Sequence, residues 1–282
     1  MREHAHPLPD PTDSRAHLQA AGFALWPGVM GAGRIMQLRH LVEQHFERAG
    51  RARLGGKLQS RALDHVRGLL QATLTPELAA VMAAHVAGTP LLTGDCTVTM
   101  NTRAGWRRDA LTGAAMDTAA LSDPDFAVFR LAIFLQDQTG KGLQLRPGSH
   151  LDVQGNDIAP SRVPMAAGDV IVLDTRLDHA DHPPAAGMVA LRCLSKPAGP
   201  LLRRDADDVL TGWRSASRGA RQNRIALFLT FGTDNRWTRA YERAGRDRHG
   251  PPAVIDGHTS NLLDGLGLDI IQPDQGAAGS NS

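Results

Sequence analysis

The sequence predicts a mainly β protein with flanking helices, and three stretches carry that prediction. In Val128–Asp137 one parity holds Phe129, Leu131, Ile133 and Leu135, while the other mixes Val128, Arg130, Ala132, Phe134 and Gln136. Such alternation marks a strand with two different faces, and it puts Arg130 and Gln136 on a side that could line a polar cavity. After the Pro147-Gly148 turn and a loop, Gly168-Asp169 opens the β-branched run Val170–Leu173, which is expected to end near Leu177-Asp178-His179. A third run, Arg224–Phe231, alternates again and places Arg224 in parity with Ala226, Phe228 and Thr230. A histidine where a strand runs out suggests a metal-binding barrel.

The remaining elements follow in chain order. Residues 1–14 are polar and proline-rich and are expected to be loose. Ala32–Phe46 spaces Ile35, Leu38, Leu41, Val42 and Phe46 as one helical stripe, with Arg39 and Glu43 off it. Pro76-Glu77 begins a second helix running to about Val86, with proline and an acidic residue in its first turn. These helices are expected to brace the outer face of a sheet. Cys96–Met100 is a short strand leading into Trp106–Asp109, and Trp106 is expected to pack. The small-residue segment Ala110–Asp125 could cover a site as a lid. The tail Gln275–Ser282 has a disordered composition. Residues 15–272 are therefore taken as one domain.

Composition narrows the function classes. The chain has 282 residues, 42% hydrophobic, enough for a sizeable core. Only 4% are aromatic, which argues against a nucleic-acid stacking surface, and a net charge of +2 gives no strong field toward nucleic acid or membrane. Lys57, Lys141 and Lys196 are the only lysines, so the basic charge is nearly all arginine, including the cluster Arg203, Arg204, Arg214, Arg218 and Arg221. Cys96 and Cys193 are too few for a disulfide framework, and buried thiols fit a reducing compartment. The N-terminal residues hold no signal-peptide core and no apolar run approaches the ~20 residues of a membrane span, so a cytoplasmic protein is expected. The sequence carries no signal of oligomeric state.

Four motifs in order give the chain a family resemblance. FRLAIFLQD (Phe129–Asp137), LRPGSH (Leu145–His150), GDVIVLDTRLDH (Gly168–His179) and RIALFLTFGTDN (Arg224–Asn235), preceded by LQAAGFALWPGVM (Leu18–Met30), resemble the phytanoyl-CoA dioxygenase family of iron(II)- and 2-oxoglutarate-dependent oxygenases. The resemblance spans most of residues 15–245. It implies a double-stranded β-helix of the jelly-roll, cupin-like kind. It also implies iron(II), 2-oxoglutarate as co-substrate and hydroxylation of a small-molecule substrate.

The same resemblance implies site residues. Such enzymes hold iron with two histidines and one carboxylate, leaving open positions for the oxoacid and dioxygen. His179 matches the distal histidine, and Asp109 in GWRRDAL matches the carboxylate. The slot of the first histidine holds Arg107, which has no lone pair to donate. Three explanations stand: a third ligand from elsewhere, weak metal binding, or a barrel that lost the chemistry and binds a ligand or a partner. His182 is a conceivable substitute ligand, though the prolines after it favour a solvated turn. Arg224, at the head of its strand, matches the arginine that grips the far carboxylate of 2-oxoglutarate, with Arg192 as runner-up. Lys196–Asn223 would then be inserted. His150 is expected mainly to fix its turn, with a place facing substrate as the alternative.

Overall fold

The computed structural model describes residues 11–48, 56–102, 104–111, 119–138, 143–152, 157–181, 223–250 and 256–271. The N-terminal elements are α1 (Pro11–Ala21), β1 (Phe23–Trp26), α2 (Ala32–Arg48), β2 (Lys57–Ser60), α3 (Ala62–His65), α4 (Leu69–Thr73) and α5 (Pro76–Ala83). The middle of the chain forms β3 (Leu91–Met100), β4 (Ala104–Arg107), α6 (Ala119–Ser122), β5 (Val128–Phe134), β6 (Leu143–Leu145), β7 (Ser161–Arg162), β8 (Val170–Asp174) and β9 (His179–Asp181). It closes with β10 (Ile225–Gly232), α7 (Arg236–His249), α8 (Gly257–Leu266) and β11 (Asp269–Ile270). His182, Arg192, Cys193, the arginine cluster and the expected tail lie outside the described residues.

The strands form two sheets. The larger runs β1-β8-β5-β10-β3-β11, with β2 also paired to β3, and the smaller runs β4-β9-β6-β7. Parity of the long strands decides the layering, because alternate side chains leave a strand on opposite faces. One face, with Leu131, Ile133, Val172, Leu227 and Leu229, packs under Ile35, Leu38 and Val42 of α2 and Leu78, Val81 and Met82 of α5. The opposite face, with Ala132, Phe134, Ile171, Leu173, Ala226 and Phe228, packs on Leu143 and Leu145 of the small sheet. The chain is thus mostly sheet with flanking helices, α2 and α5 on one face and α7 meeting the other through Tyr241 against Val128 and Asp95.

Several elements depart from the sequence expectations, each for a local reason. The helix α1 starts at Pro11, inside the segment expected to be loose; proline suits a first helical position, and Leu18 is anchored in the core. Arg39 is buried, although its charge placed it off the stripe. Its guanidinium donates to the carbonyls of Leu135 and Asn223 at 3.1 Å each and so ties α2 to the ends of β5 and β10. Strand β8 does not run out at His179. It stops at Asp174, Leu177 N–H closes a turn on the Asp174 carbonyl, and His179 opens β9 in the other sheet. The helix from Pro76 ends at Ala83, before Val86, and is capped by Thr75, which accepts from Leu78 N–H.

Two glycines fix approaches that no other residue permits. Gly168 has φ +96°, and a Cβ there would lie 2.2 Å from the Met30 carbonyl oxygen. Gly22 has φ +82° and sits against the His150 ring, where a Cβ would meet Nδ1 at 2.6 Å.

Candidate functional site

Two strand pairs converge on one carboxylate. In the antiparallel pair β4–β9, Arg107 stands directly opposite His179. The chain then turns through a short 3-10 segment beginning at Asp109, anchored by Ala110 N–H on the Thr175 carbonyl at 2.9 Å. Asp109 is thereby buried, with His179 Nε2 at 3.6 Å from its Oδ2. From the large sheet, Arg130 reaches the same carboxylate from the inner face of β5.

Both carboxylate oxygens are taken by guanidinium groups. Arg107 Nε donates to Oδ1 at 3.1 Å, and Arg130 Nη1 donates to Oδ2 at 3.0 Å. Burial pushes the Asp109 carboxyl up, but Arg130, His179 and Arg107 outweigh it and hold the group well below the usual carboxylate range. His179 is held low mainly by burial, with Asp109 opposing. Its Nδ1 lies 3.0 Å from the Leu177 carbonyl, which can only accept, so Nδ1 carries a proton and Nε2 faces Asp109.

A second carboxylate extends the network. Asp95 Oδ2 accepts from the Tyr241 hydroxyl at 3.1 Å and the Thr230 hydroxyl at 3.3 Å, and lies 3.8 Å from Arg130 Nη1. Burial and Asp95 push the Tyr241 phenol up, so it stays protonated and donates. Sequence reading missed both residues. Asp95 offered one signal, a carboxylate in mid-strand on the same parity as Thr97 and Thr99, where acidic residues are depleted. Tyr241 offered none, because α7 must pack on β3 before it meets Asp95.

These groups line a cleft of about 300 Å³ between Thr97 and Thr99 of β3, Phe228 of β10, Arg107 and the end of α7 at Arg248. The structure therefore brings together Arg107, Asp109 and Arg130 at the cleft, with His179 behind Asp109. Arg224 precedes β10 on the inward parity and donates through Nη2 to the carbonyl of Thr102, a cleft-lining residue. Gln136 and His150 are not brought to it. Gln136 lies beyond the end of β5, and its Oε1 accepts from Ile225 N–H at 2.6 Å. His150 is buried in its turn, with Nε2 at 3.0 Å from the Gln19 carbonyl, which is the turn-fixing role. Trp106 packs under the Arg146 guanidinium at 4.3 Å.

The donor set does not fit a three-ligand metal centre. Among the described residues no group of three His, Cys, Asp or Glu side chains could hold a metal ion. Charge works in the same direction. Two unit charges 4 Å apart interact by about 4 kcal/mol at an effective dielectric of ~20, so a divalent ion on Asp109 would meet roughly 8 kcal/mol of repulsion from each nearby guanidinium. Arg107 Nη1 and Arg130 Nε are buried without hydrogen-bond partners. Each such orphan costs about 1–3 kcal/mol.

No family model matches the sequence, and no curated protein is similar to it. Solved structures are similar in fold. The epimerase SnoN in complex with Fe3+, alpha ketoglutarate and nogalamycin RO aligns with a TM-score of 0.54 at 15% identity, covering 79% of this chain and 83% of its own. AviO1 from Streptomyces viridochromogenes Tue57 aligns at 0.54 and 18%, covering 80% and 96%. HygX from Streptomyces hygroscopicus, with nickel and 2-oxoglutarate bound, aligns at 0.52 and 13%, covering 79% and 87%. At these identities the likeness is one of fold. SnoN holds Fe3+ with alpha ketoglutarate and HygX holds nickel with 2-oxoglutarate, consistent with the iron(II) and 2-oxoglutarate that the family resemblance implies.

Proposed function

We propose that this chain is a small-molecule-binding member of the oxygenase fold, a double-stranded β-helix over residues 15–272 of phytanoyl-CoA dioxygenase-like ancestry, in which arginine has taken over the metal position. One observation carries the reading: both oxygens of Asp109 are engaged by guanidinium groups, Arg107 at 3.1 Å and Arg130 at 3.0 Å. The protein then holds its cleft together by internal charge pairing, without iron(II). Titration of chelator-treated protein with cobalt(II) tests this. The expected result is no ligand-field band from bound cobalt; a band that saturates near one equivalent would overturn the reading.

A second reading is favoured by His179. Its Nδ1 proton on the Leu177 carbonyl and its Nε2 turned to Asp109 at 3.6 Å are the orientation a metal-ligating imidazole adopts. On that reading the chain is an iron(II)- and 2-oxoglutarate-dependent dioxygenase that hydroxylates a small molecule, with Asp109 and His179 as metal ligands and Arg224 on the oxoacid. Both readings describe a cytoplasmic protein. Among the described residues no helix is long and apolar enough to cross a membrane.

A further inference from the structure

We infer that Arg107 and Arg130 form a carboxylate-binding pair that accepts the anionic end of a small organic acid without a metal; this rests on the metal-free reading above. Each guanidinium spends one edge on Asp109, and each keeps a buried N–H without an acceptor, on Arg107 Nη1 and Arg130 Nε. Arginine presents its donors in a planar fork, so one protein carboxylate leaves donors over for a second. Arg107 is 29% exposed on the cleft wall and can turn toward an incoming acceptor.

Geometry selects the ligand class. Arg107 and Arg130 share the single Asp109 carboxylate, and the donors left over on the two forks match a second carboxylate. Phe228 and the Thr97 and Thr99 side chains line the remaining wall, which suits a short carbon chain bearing polar groups. At about 300 Å³ the cleft is at the small end of ligand pockets, which suits a short acid.

Ligand-observed NMR on the chelator-treated full chain tests the pair, with butyrate, its neutral isostere butyramide, inorganic phosphate and 2-oxoglutarate as probes. Butyrate is expected to bind saturably without metal and butyramide not. Arg107→Gln is expected to weaken butyrate by about tenfold or more, the effect of losing one charge-assisted hydrogen bond. Arg107→Lys, which keeps the charge but loses the fork, is expected to fall between; it is the variant to use if Arg107→Gln does not fold. Equal binding of butyrate and butyramide, binding of phosphate alone, or butyrate binding unchanged by either Arg107 variant would overturn the pair. So would 2-oxoglutarate binding that depends on Arg224 and not on Arg107. Butyrate binding that appears only after cobalt(II) is added sinks the metal-free reading, whereas no binding with or without cobalt sinks the carboxylate pair alone.

Discussion

Arg107 and His179 are direct partners across the β4–β9 pair, and the Arg107 guanidinium lies on the carboxylate that the His179 ring also faces. Opposite residues of an antiparallel pair have Cβ atoms about 4.5–5.5 Å apart, so a side chain at position 107 reaches the space beside His179 Nε2. An imidazole at that position would complete a set of two histidines and one carboxylate. Arg107→His is therefore expected to bind cobalt(II) far more tightly than the parent. It removes one cation and adds one donor, together well over tenfold at about 1.4 kcal/mol per tenfold. Equal cobalt affinity in the two proteins, read from their absorption spectra, would mean that position 107 is not at the ligand slot.

Removing the carboxylate should cost more than removing Arg107, its most exposed partner. Asp109→Ala leaves the buried Arg130 guanidinium without its nearest counter-charge, which predicts a loss of about 3–5 kcal/mol in urea unfolding. Arg107→Ala, at a side chain 29% exposed, should cost no more than about 1 kcal/mol, because solvent screens it. If Asp109→Ala is as stable as the parent, the charge network does not hold the site.

His85 gives the fold an acid limit. Its Nε2 accepts from Trp26 Nε1 at 3.0 Å, and burial, with Arg15 nearby, lowers its pKa from 6.5 to about 4. Since the folded value lies below the unfolded one, the unfolded chain takes the proton first as pH falls. The contribution of neutral His85 is thus complete above about 6.5 and is lost on the way to 4, in total about 3 kcal/mol. Urea unfolding at pH 7 and pH 4.5 should show a steeper acid loss for the parent than for His85→Gln. Identical pH slopes would show that His85 protonates freely in the folded state.

Gly168→Ala should destabilise the chain although it removes no side-chain contact. The residue has φ +96°, its carbonyl accepts from Met30 N–H at 2.9 Å, and an added Cβ would sit 2.2 Å from the Met30 oxygen. Strain of this kind costs on the order of 1–3 kcal/mol before the backbone clash is counted. A thermal midpoint equal to the parent's would contradict the close approach of these two segments.

Much of this architecture is legible in one dimension because strand parity is local. Leu131 and Ile133 on one face of β5, with Arg130 and Ala132 on the other, follow from alternation alone, and the family resemblance put Asp109, His179 and Arg107 together. What was not legible depends on tertiary closure. Gln136 shares the parity of Arg130, yet β5 ends at Phe134 and its amide is claimed by the backbone of Ile225. Arg39 looks like a surface charge until the ends of β5 and β10 offer it carbonyl oxygens. Asp95 and Tyr241, 146 positions apart, meet only because α7 packs on β3.

The most direct measurement is an anaerobic titration of the full chain with iron(II) and 2-oxoglutarate, followed by visible absorption. If guanidinium groups hold the metal position, no metal-to-ligand charge-transfer band develops for the parent, and 2-oxoglutarate binding is the same with and without iron. A band in the parent that requires both iron(II) and 2-oxoglutarate would contradict that claim and make Asp109 and His179 the ligands of a working centre.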